Sequence, residues 1–292
     1  IPVLDECLKE SSCDWDDIDA LAITKGPGLI SSLIIGTETA NVISYVKKKP
    51  LIPVQHITGH IYSNWLDTDE EIEFPVLILT VSGGHNELIL MKGHHEFEVL
   101  GESRDDASGE AFDKVARILG LGYPGGPVIS KIAEEGDGSS FSLPRAYLEK
   151  GSLDFSFSGL KTAVLTEVKE YAKARNIENA EDIDQKFKAD LAASFQEAVV
   201  EILANKLYMA FEKYSEIKEV HLAGGVSANS RLREVIQEKF DGKITFRHPK
   251  SIKYCTDNAA MIASAAYFLH VNSPEKYKPC SNIIPTTSFE IF

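Results

Sequence analysis

Short apolar runs alternate along the chain with longer segments in which apolar residues recur every three or four positions. The runs 19–24 and 51–54 predict buried strands, and the segment 183–214 has the spacing of an amphipathic helix. Because strands and helices follow one another in this way, the predicted fold class is α/β. The apolar positions of the long helix are Phe187, Leu191, Phe195, Val199, Ile202 and Leu207.

Two further apolar runs, 74–81 and 86–90, enclose the turn Ser82-Gly83-Gly84-His85 and predict a hairpin. Paired glycines allow backbone N–H groups to come close to a ligand, and a hydroxyl and an imidazole flank them here. The turn therefore has the composition of a loop that binds phosphate or carboxylate oxygens. Gly-Gly alone is equally compatible with a plain hairpin turn.

A second glycine loop, 224–229, follows a predicted strand at 219–223 and precedes a predicted helix at 231–240. A loop at that position offers N–H groups and a helix N-terminus to an anion. Two such loops suggest a clamp on one nucleotide-like ligand. Asp113, Glu110 and Gly126 lie where a ribose or an aminoacyl group could be held, although each could equally be a surface acid or a turn glycine.

His56 and His60 are four residues apart, so a helix would place both imidazoles on one face. No glutamate follows His56, which disfavours a zinc protease, and two surface histidines remain an alternative. Asp257 lies at the start of a predicted Ala-rich helix, for which Thr256 is the predicted cap. Two histidines and one carboxylate would suit Fe(II) or Zn(II). Gly59 between the histidines indicates close packing or a ligand there.

Length, charge and cysteine content narrow the class of protein. A chain of 292 residues predicts two lobes, placed at 1–70 and 71–270 and followed by a tail at 271–292. The net charge of −14 argues against binding nucleic acid without help. Four cysteines without C-x-x-C spacing, no signal peptide and no membrane-length apolar run predict a cytoplasmic protein with reduced thiols.

Several motifs taken together resemble a known family. The sequence is similar to the bacterial tRNA adenosine threonylcarbamoyltransferase catalytic subunit, of the TsaD type and formerly called an O-sialoglycoprotein endopeptidase. The resemblance extends over nearly the whole chain and implies the two-lobed fold of actin, heat-shock ATPases and sugar kinases. The motifs that carry it are 26–28 (GPG), 56–60 (HxxxH), 81–85 (VSGGH), 109–114 (GEAFDK), 123–126 (YPGG), 154–161 (DFSFSGLK), 224–229 (GGVSAN) and 256–258 (TDN).

The resemblance also implies a reaction and its residues. A divalent metal, Fe(II) with Zn(II) as the alternative, would be held by His56, His60 and Asp257. Threonylcarbamoyl-adenylate would donate its acyl group to the exocyclic amine of adenosine 37, in tRNAs reading codons that begin with A, and AMP would leave. The residues implied to bind the adenylate are Thr80, Val81, Ser82, Gly83, Gly84, Asp113, Gly126 and Asn229.

One departure from the family pattern concerns the first lobe. Family members begin with a hairpin carrying Glu-Thr-Ser-Cys-Asp, which this sequence lacks, so the first lobe is expected to be truncated at its N-terminus. The implied partners are tRNA, a non-catalytic homologous subunit, a small ATPase and a separate adenylate-making enzyme, with no membrane. A small-molecule kinase of the same superfamily and a non-catalytic scaffold homologue remain as alternatives.

Overall fold

The computed structural model describes residues 1–146, 148–149, 151–279 and 282–287. The chain forms two compact units. The first unit comprises residues 1–67 together with the described residues from Asp257 onward, and the second comprises residues 68–256. The sequence placed the second lobe at 71–270, whereas the helix that follows Asp257 belongs to the first unit. Part of the predicted tail at 271–292 lies outside the described residues.

The first unit contains a two-stranded parallel sheet and four α-helices within the described residues. Leu21 pairs with Leu51, which confirms the strands predicted at 19–24 and 51–54. The chain returns to this unit for its last helix, so the unit is built from two separate stretches of sequence. In chain order the elements are α1 (Pro2–Ser11), β1 (Leu21–Gly26), α2 (Ile30–Lys47), β2 (Leu51–Gln55), α3 (His56–Tyr62) and α9 (Ala259–Asn272).

Helix α3 packs closely against α9, and Gly59 makes this approach possible. A Cβ atom at Gly59 would lie 2.7 Å from Cδ1 of Ile262, closer than such atoms normally come. One turn away, Ser264 donates a hydrogen bond of 3.1 Å to the Tyr62 carbonyl, and the Tyr62 ring stacks on Phe268. The glycine weakens the isolated helix by roughly 1 kcal/mol. Packing against α9 accounts for its presence.

The second unit contains a five-stranded mixed sheet with the strand order β5-β4-β3-β6-β7. Strands β3, β4 and β5 are antiparallel, whereas β3, β6 and β7 are parallel. Val81 pairs with Asn86, which confirms the predicted hairpin. The strands are β3 (Val76–Val81), β4 (Asn86–Gly93), β5 (Glu96–Glu102), β6 (Glu219–Ala223) and β7 (Thr245–Arg247).

Side chains from one face of this sheet and from five helices form the main hydrophobic core. Leu77, Leu79 and Leu222 of the sheet belong to one buried cluster with residues of all five helices. Within it, the rings of Phe112 and Phe195 meet edge to face at 5.1 Å. The helices are α4 (Ser108–Ile118), α5 (Gly125–Ala133), α6 (Ser158–Arg175), α7 (Gln185–Lys213) and α8 (Ser230–Phe240).

Helix α6 was not predicted from the sequence. Its fully buried residues are Leu160, Val164 and Val168, a narrow stripe in a helix that is mostly polar, charged or alanine at its other positions. Such a stripe gives a weak periodic signal, and packing in the core stabilises the helix instead. The long helix predicted at 183–214 is confirmed as α7.

The predicted cap of helix α9 was wrong. For comparison, helix α2 begins at Ile30, and no side chain caps it. Helix α9 is capped by Asn258, whose side-chain oxygen accepts a 2.9 Å hydrogen bond from the Met261 N–H. Thr256 therefore precedes the cap. Asn forms this bond at least as well as Thr, so residue type alone did not distinguish them.

Nowhere in the described part of the chain does a helix combine the length and the apolar character needed to cross a membrane. Cys7, Cys13 and Cys255 carry free thiols. Cys280 lies outside the described residues.

Candidate metal centre and glycine-loop site

The two histidines of the first unit lie on one face of α3. This helix starts directly at the end of β2, and the side chain of Gln55 caps it by accepting a 3.0 Å hydrogen bond from the Thr58 N–H. The cap fixes the first turn, which carries His56, and His60 follows one turn later. Their ring centroids are 4.8 Å apart. His60 is almost fully buried, while His56 is partly exposed.

Asp257 joins the two histidines from the chain just before α9. Its Oδ1 atom lies 3.3 Å from Nε2 of His56 and 3.2 Å from Nε2 of His60. Hydrogen bonds from His56 and His60 hold the pKa of the Asp257 carboxyl well below its usual range. The structure therefore brings together the three residues that the sequence suggested as metal ligands.

The donor set and its spacing fit a divalent metal ion. One ligand atom from each of the three residues lies within 4.8 Å of the other two, so the group could hold a metal ion. Bonds of about 2.0–2.1 Å to a tetrahedral ion separate neighbouring ligand atoms by roughly 3.3 Å, close to both histidine–aspartate distances. An ionised carboxylate and two imidazoles form a set that suits iron or zinc.

A cleft of about 640 Å³ opens beside this cluster. His56 and Asp257 lie in its wall, so the ligand atoms can be reached by a molecule in the cleft. The remaining wall is largely apolar and comes from β1, the start of α2 and the start of α9. This is the usual composition of a small-molecule site, with few polar groups in an apolar surround.

The two glycine loops of the second unit lie at the same edge of the sheet. Strands β3 and β6 are parallel neighbours, with Thr80 paired to Ala223, so the turn after β3 and the loop after β6 emerge side by side. Gly224 lies so close to the Val81 carbonyl that a Cβ atom would clash with it, and its φ is +89°. Only glycine readily adopts this positive φ and also has no side chain to clash with the Val81 carbonyl.

The turn after β3 is fixed by its own hydrogen bonds and by α4. The Ser82 N–H donates a 2.9 Å hydrogen bond to the His85 carbonyl. The Ser82 hydroxyl donates to the same carbonyl at 3.0 Å and accepts from the His85 N–H at 3.1 Å. The start of α4 packs on this turn, because a Cβ atom on Gly109 would lie 2.6 Å from the Ser82 carbonyl oxygen. Gly83 and Gly84 are exposed and have open space where a side chain would lie. A ligand can therefore approach their backbone.

The predicted residues Asp113, Gly126 and Asn229 lie near the N-termini of α5 and α8. Oδ1 of Asp113 accepts a 2.7 Å hydrogen bond from the Gly125 N–H, which places a carboxylate at the positive end of α5. Gly126 follows with open space in its Cβ direction.

Asn229 links three helices by its side-chain amide. Its Oδ1 caps α8 through the Leu232 N–H, and its Nδ2 donates at 2.9 Å both to Ser130 of α5 and to Gln196 of α7. These hydrogen bonds hold the second glycine loop against α5 and α7. The side chain is thus fixed in position. In the sequence, an Asn directly before a predicted helix was the pattern that could have indicated this helix cap.

The structure also identifies residues that sequence reasoning missed. Asp105 accepts hydrogen bonds from the Ser156 hydroxyl at 2.5 Å and the Phe157 N–H at 2.8 Å, so it ties the 154–161 motif to the start of α4. Burial raises the pKa of Asp105, but these hydrogen bonds outweigh it and the pKa is lowered. The adjacent Asp106 binds Lys114 and Lys161. In the sequence, two adjacent acidic residues just before the helix were the pattern that could have pointed to Asp105 and Asp106.

Glu87 is a buried carboxyl in β4, directly across from Thr80. Its side chain is 6% exposed, and its Oε2 atom has no hydrogen-bond partner among the described residues. Burial, and then the charge of Glu102, raise the pKa of Glu87 to about 7. This carboxyl is therefore held partly neutral near neutral pH.

We expect Glu87→Gln to raise the free energy of unfolding by about 3 kcal/mol at pH 8 and by less than about 1 kcal/mol at pH 5. The folded pKa of about 7 exceeds the ordinary 4.5, so ionisation destabilises the fold progressively as the pH rises between these values, by about 1.4 kcal/mol per unit. Urea denaturation at both pH values measures the effect. The exposed Glu96→Gln is the control, and an equal gain at both pH values would contradict the assignment.

Comparisons with known proteins identify relatives over most of the chain. Residues 1–264 match the family model TsaD, described as tRNA N6-adenosine threonylcarbamoyltransferase. A protein of that name from Bacillus cereus is 52% identical over 266 residues, covering 90% of this chain and 74% of the relative. Another from Thermomicrobium roseum is 49% identical over 285 residues, covering 92% and 77%.

Among solved structures, HypF from T. kodakarensis superposes with a TM-score of 0.62 at 15% identity, covering 91% of this chain and 42% of that one. A full-length HypF in a phosphate- and nucleotide-bound form gives 0.61 at 14% identity, covering 93% and 41%. These similarities concern the fold alone, and they agree with the predicted α/β class. The family match and the relatives together show that this chain belongs to the tRNA N6-adenosine threonylcarbamoyltransferase family.

Proposed function

We propose that this chain transfers the threonylcarbamoyl group of threonylcarbamoyl-adenylate to the exocyclic amine of adenosine 37 in tRNAs that read codons beginning with A. A bond forms between the amine nitrogen and the carbamoyl carbon, and the bond from that carbon to the phosphate oxygen breaks. The amine loses one proton, and AMP leaves with the electron pair. Membership of the family supports the reaction. The convergence of His56, His60 and Asp257 on one point is the observation that carries it for this chain.

His56, His60 and Asp257 would hold one divalent ion, for which we propose Fe(II) with Zn(II) as the alternative. When bound, the ion supplies Lewis acidity toward oxygen atoms of the acyl group. The burial of His60 and the capped first turn of α3 restrict the motion of the imidazoles. The low pKa of Asp257 keeps its carboxylate ionised, so the site carries a negative charge that favours a cation.

The residues of the second unit would bind the adenylate. Gly83 and Gly84 offer exposed backbone to a phosphate, and the N-terminus of α5 at Gly126 adds a positive dipole end. Asp113 and Asn229 fix the helix ends that border this edge of the sheet. Thr80, Val81 and Ser82 contribute the strand end and turn on which the two glycines are presented.

The distribution of charge favours companion subunits. The chain carries a net charge of −14, and phosphate backbones require basic surface. Arg145 pairs with Glu201, Lys161 with Asp106, and Arg247 with Glu219 and Glu70. These cations are therefore already engaged. We propose that tRNA binding uses a complex with a non-catalytic homologous subunit and a small ATPase, in the cytoplasm.

A transfer assay tests the function. The full chain, loaded with Fe(II) or Zn(II) and combined with its partner subunits, is supplied with threonylcarbamoyl-adenylate and unmodified tRNA. We expect N6-threonylcarbamoyladenosine at position 37 and one AMP per modified tRNA, as measured by nucleoside mass spectrometry. A tRNA with guanosine at position 37 is the control. No modified adenosine under these conditions, in a chain that binds metal, would refute the transferase assignment.

A further inference from the structure

The turn Gly26-Pro27-Gly28 joins β1 to α2 and belongs to neither proposed ligand set. Pro27 and Gly28 nevertheless form part of the wall of the cleft of about 640 Å³ that His56 and Asp257 also border. The proposed metal ion would bind oxygen atoms of the acyl group beside those two ligands. The rest of the threonylcarbamoyl group would then lie against the wall that this turn provides.

A segment near the end of the described chain, residues 282–287, packs on this turn. The Thr286 N–H donates a 3.0 Å hydrogen bond to the Lys25 carbonyl, close to the end of β1. The Thr286 carbonyl oxygen lies so close to Gly26 that a Cβ atom there would overlap it. Gly26 therefore admits the segment, whereas a residue with a side chain would displace it.

Asn41 of α2 holds the same segment at a second point. Oδ1 of Asn41 accepts the Ile283 N–H at 3.0 Å, and its Nδ2 donates to the Ile283 carbonyl at 3.1 Å. A side-chain amide carries both a donor and an acceptor, so it pairs with the backbone of Ile283 as a neighbouring strand would. Terminal segments are poorly ordered unless they are tied down. The contacts at Asn41 and at β1 supply two such ties.

We propose that residues 282–287 are a positioning segment, which holds the turn 26–28 and so shapes the wall of the cleft that receives the threonylcarbamoyl group. The inference rests on the proposed function. The segment, the turn and the cleft all belong to the first unit. The segment bonds to β1 and α2, whereas the metal ligands lie on α3 and just before α9. Its release should therefore alter the acyl pocket and leave the metal site unchanged.

Point variants can release the segment while the chain keeps its full length. Asn41→Ala removes both hydrogen bonds to Ile283, and Asn41→Asp keeps the acceptor for the Ile283 N–H but loses the donor. Thr286→Pro removes the N–H that bonds to the Lys25 carbonyl. Other described residues form the wall of the cleft, so a loss of affinity in these variants would be indirect.

The experiment compares three ligands of the full-length chain: a non-hydrolysable analogue of threonylcarbamoyl-adenylate, AMP, which lacks the acyl group, and Zn(II). We expect Asn41→Ala and Thr286→Pro each to weaken binding of the analogue by about three- to tenfold, as for the loss of one or two hydrogen bonds. Asn41→Asp should fall between Asn41→Ala and the original chain. The affinities for AMP and Zn(II) should not change, whereas a general loss of structure would lower the Zn(II) affinity as well.

The matched control is Thr39→Ala, since the hydroxyl of this residue on the same helix bonds to the Ile35 carbonyl of α2 itself. Its affinity for the analogue should equal that of the original chain. Because Asn41 and Thr286 act on one segment, the double variant Asn41→Ala/Thr286→Pro should bind the analogue no more weakly than the weaker single variant.

Amide hydrogen exchange reports the release of the segment directly, and peptides that contain residues 282–287 should exchange faster in the double variant. Unchanged exchange would show that these contacts do not hold the segment and would overturn the proposal. Faster exchange without a loss of affinity for the analogue, or an equal loss for AMP, would overturn it as well, with the transferase function intact. Failure of the original chain to bind the analogue would instead refute the proposed function.

Discussion

Asp257→Asn and His60→Ala are each expected to weaken metal binding by at least about 100-fold and to abolish threonylcarbamoyl transfer. Removing an outer group that orients a ligand costs about 10–100-fold in affinity, so removing a ligand should cost more. Asn replaces an ionised carboxylate by a neutral amide and removes the negative charge next to both imidazoles. His60 is buried, so no water-exposed side chain can readily take its place.

Metal content by elemental analysis and Zn(II) affinity by chelator competition measure this effect. His94→Ala is the control, because this histidine lies in the turn between β4 and β5, away from the cluster in sequence and structural unit. The variants should retain the helical signal of the original chain in circular dichroism. If Asp257→Asn kept its affinity for Zn(II), the carboxylate would not be a ligand and the proposed site would be wrong.

The second large effect is expected for Glu219, which lies in a buried ion-pair network of the second unit. Its Oε2 atom is 2.9 Å from Nε2 of His221 and 2.5 Å from Nε of Arg247, and its Oε1 accepts the Glu73 N–H at 3.1 Å. This network links Glu73, in the segment that precedes β3, to strands β6 and β7. Removing one partner of a buried pair leaves the other charge uncompensated.

We therefore expect Glu219→Gln to lower the free energy of unfolding at neutral pH by about 3 kcal/mol. Urea denaturation followed by fluorescence measures this loss. The exposed Glu216→Gln is the matched control and should change stability by less than about 0.5 kcal/mol. A loss for Glu219→Gln no larger than that of the control would mean that Arg247 finds equivalent compensation from Glu70.

The pH dependence gives an independent test of the same network. Burial raises the pKa of Glu219, but hydrogen bonds from His221 and Arg247 outweigh this and lower it to about 2, from an ordinary value of 4.5. A carboxyl with a lowered pKa stabilises the fold above its unfolded value and loses this contribution as the pH falls. The difference between the original chain and Glu219→Gln should thus shrink between pH 4.5 and 2. Glu87 should show the opposite trend, between pH 5 and 8.

Local sequence patterns were sufficient for most of the elements near the candidate site. The hairpin of β3 and β4 follows from two apolar runs around Ser82-Gly83-Gly84, because strand and turn preferences act over a few residues. The histidine pair follows from a spacing of four on a short helix. Helix α6 did not follow, because its three buried apolar residues gain their stability from a core formed by distant segments.

The sequence by itself determined the α/β class, the two glycine loops and the placement of both imidazoles on one helix face, because each depends on neighbouring residues. Only the tertiary structure decided that Asp257, about two hundred positions after the histidines, meets them at 3.2–3.3 Å. It also decided that Asn258 rather than Thr256 caps α9, and that Gly59 serves the packing of α3 on α9. Contacts between segments far apart in sequence depend on how the whole unit packs, which no local pattern encodes.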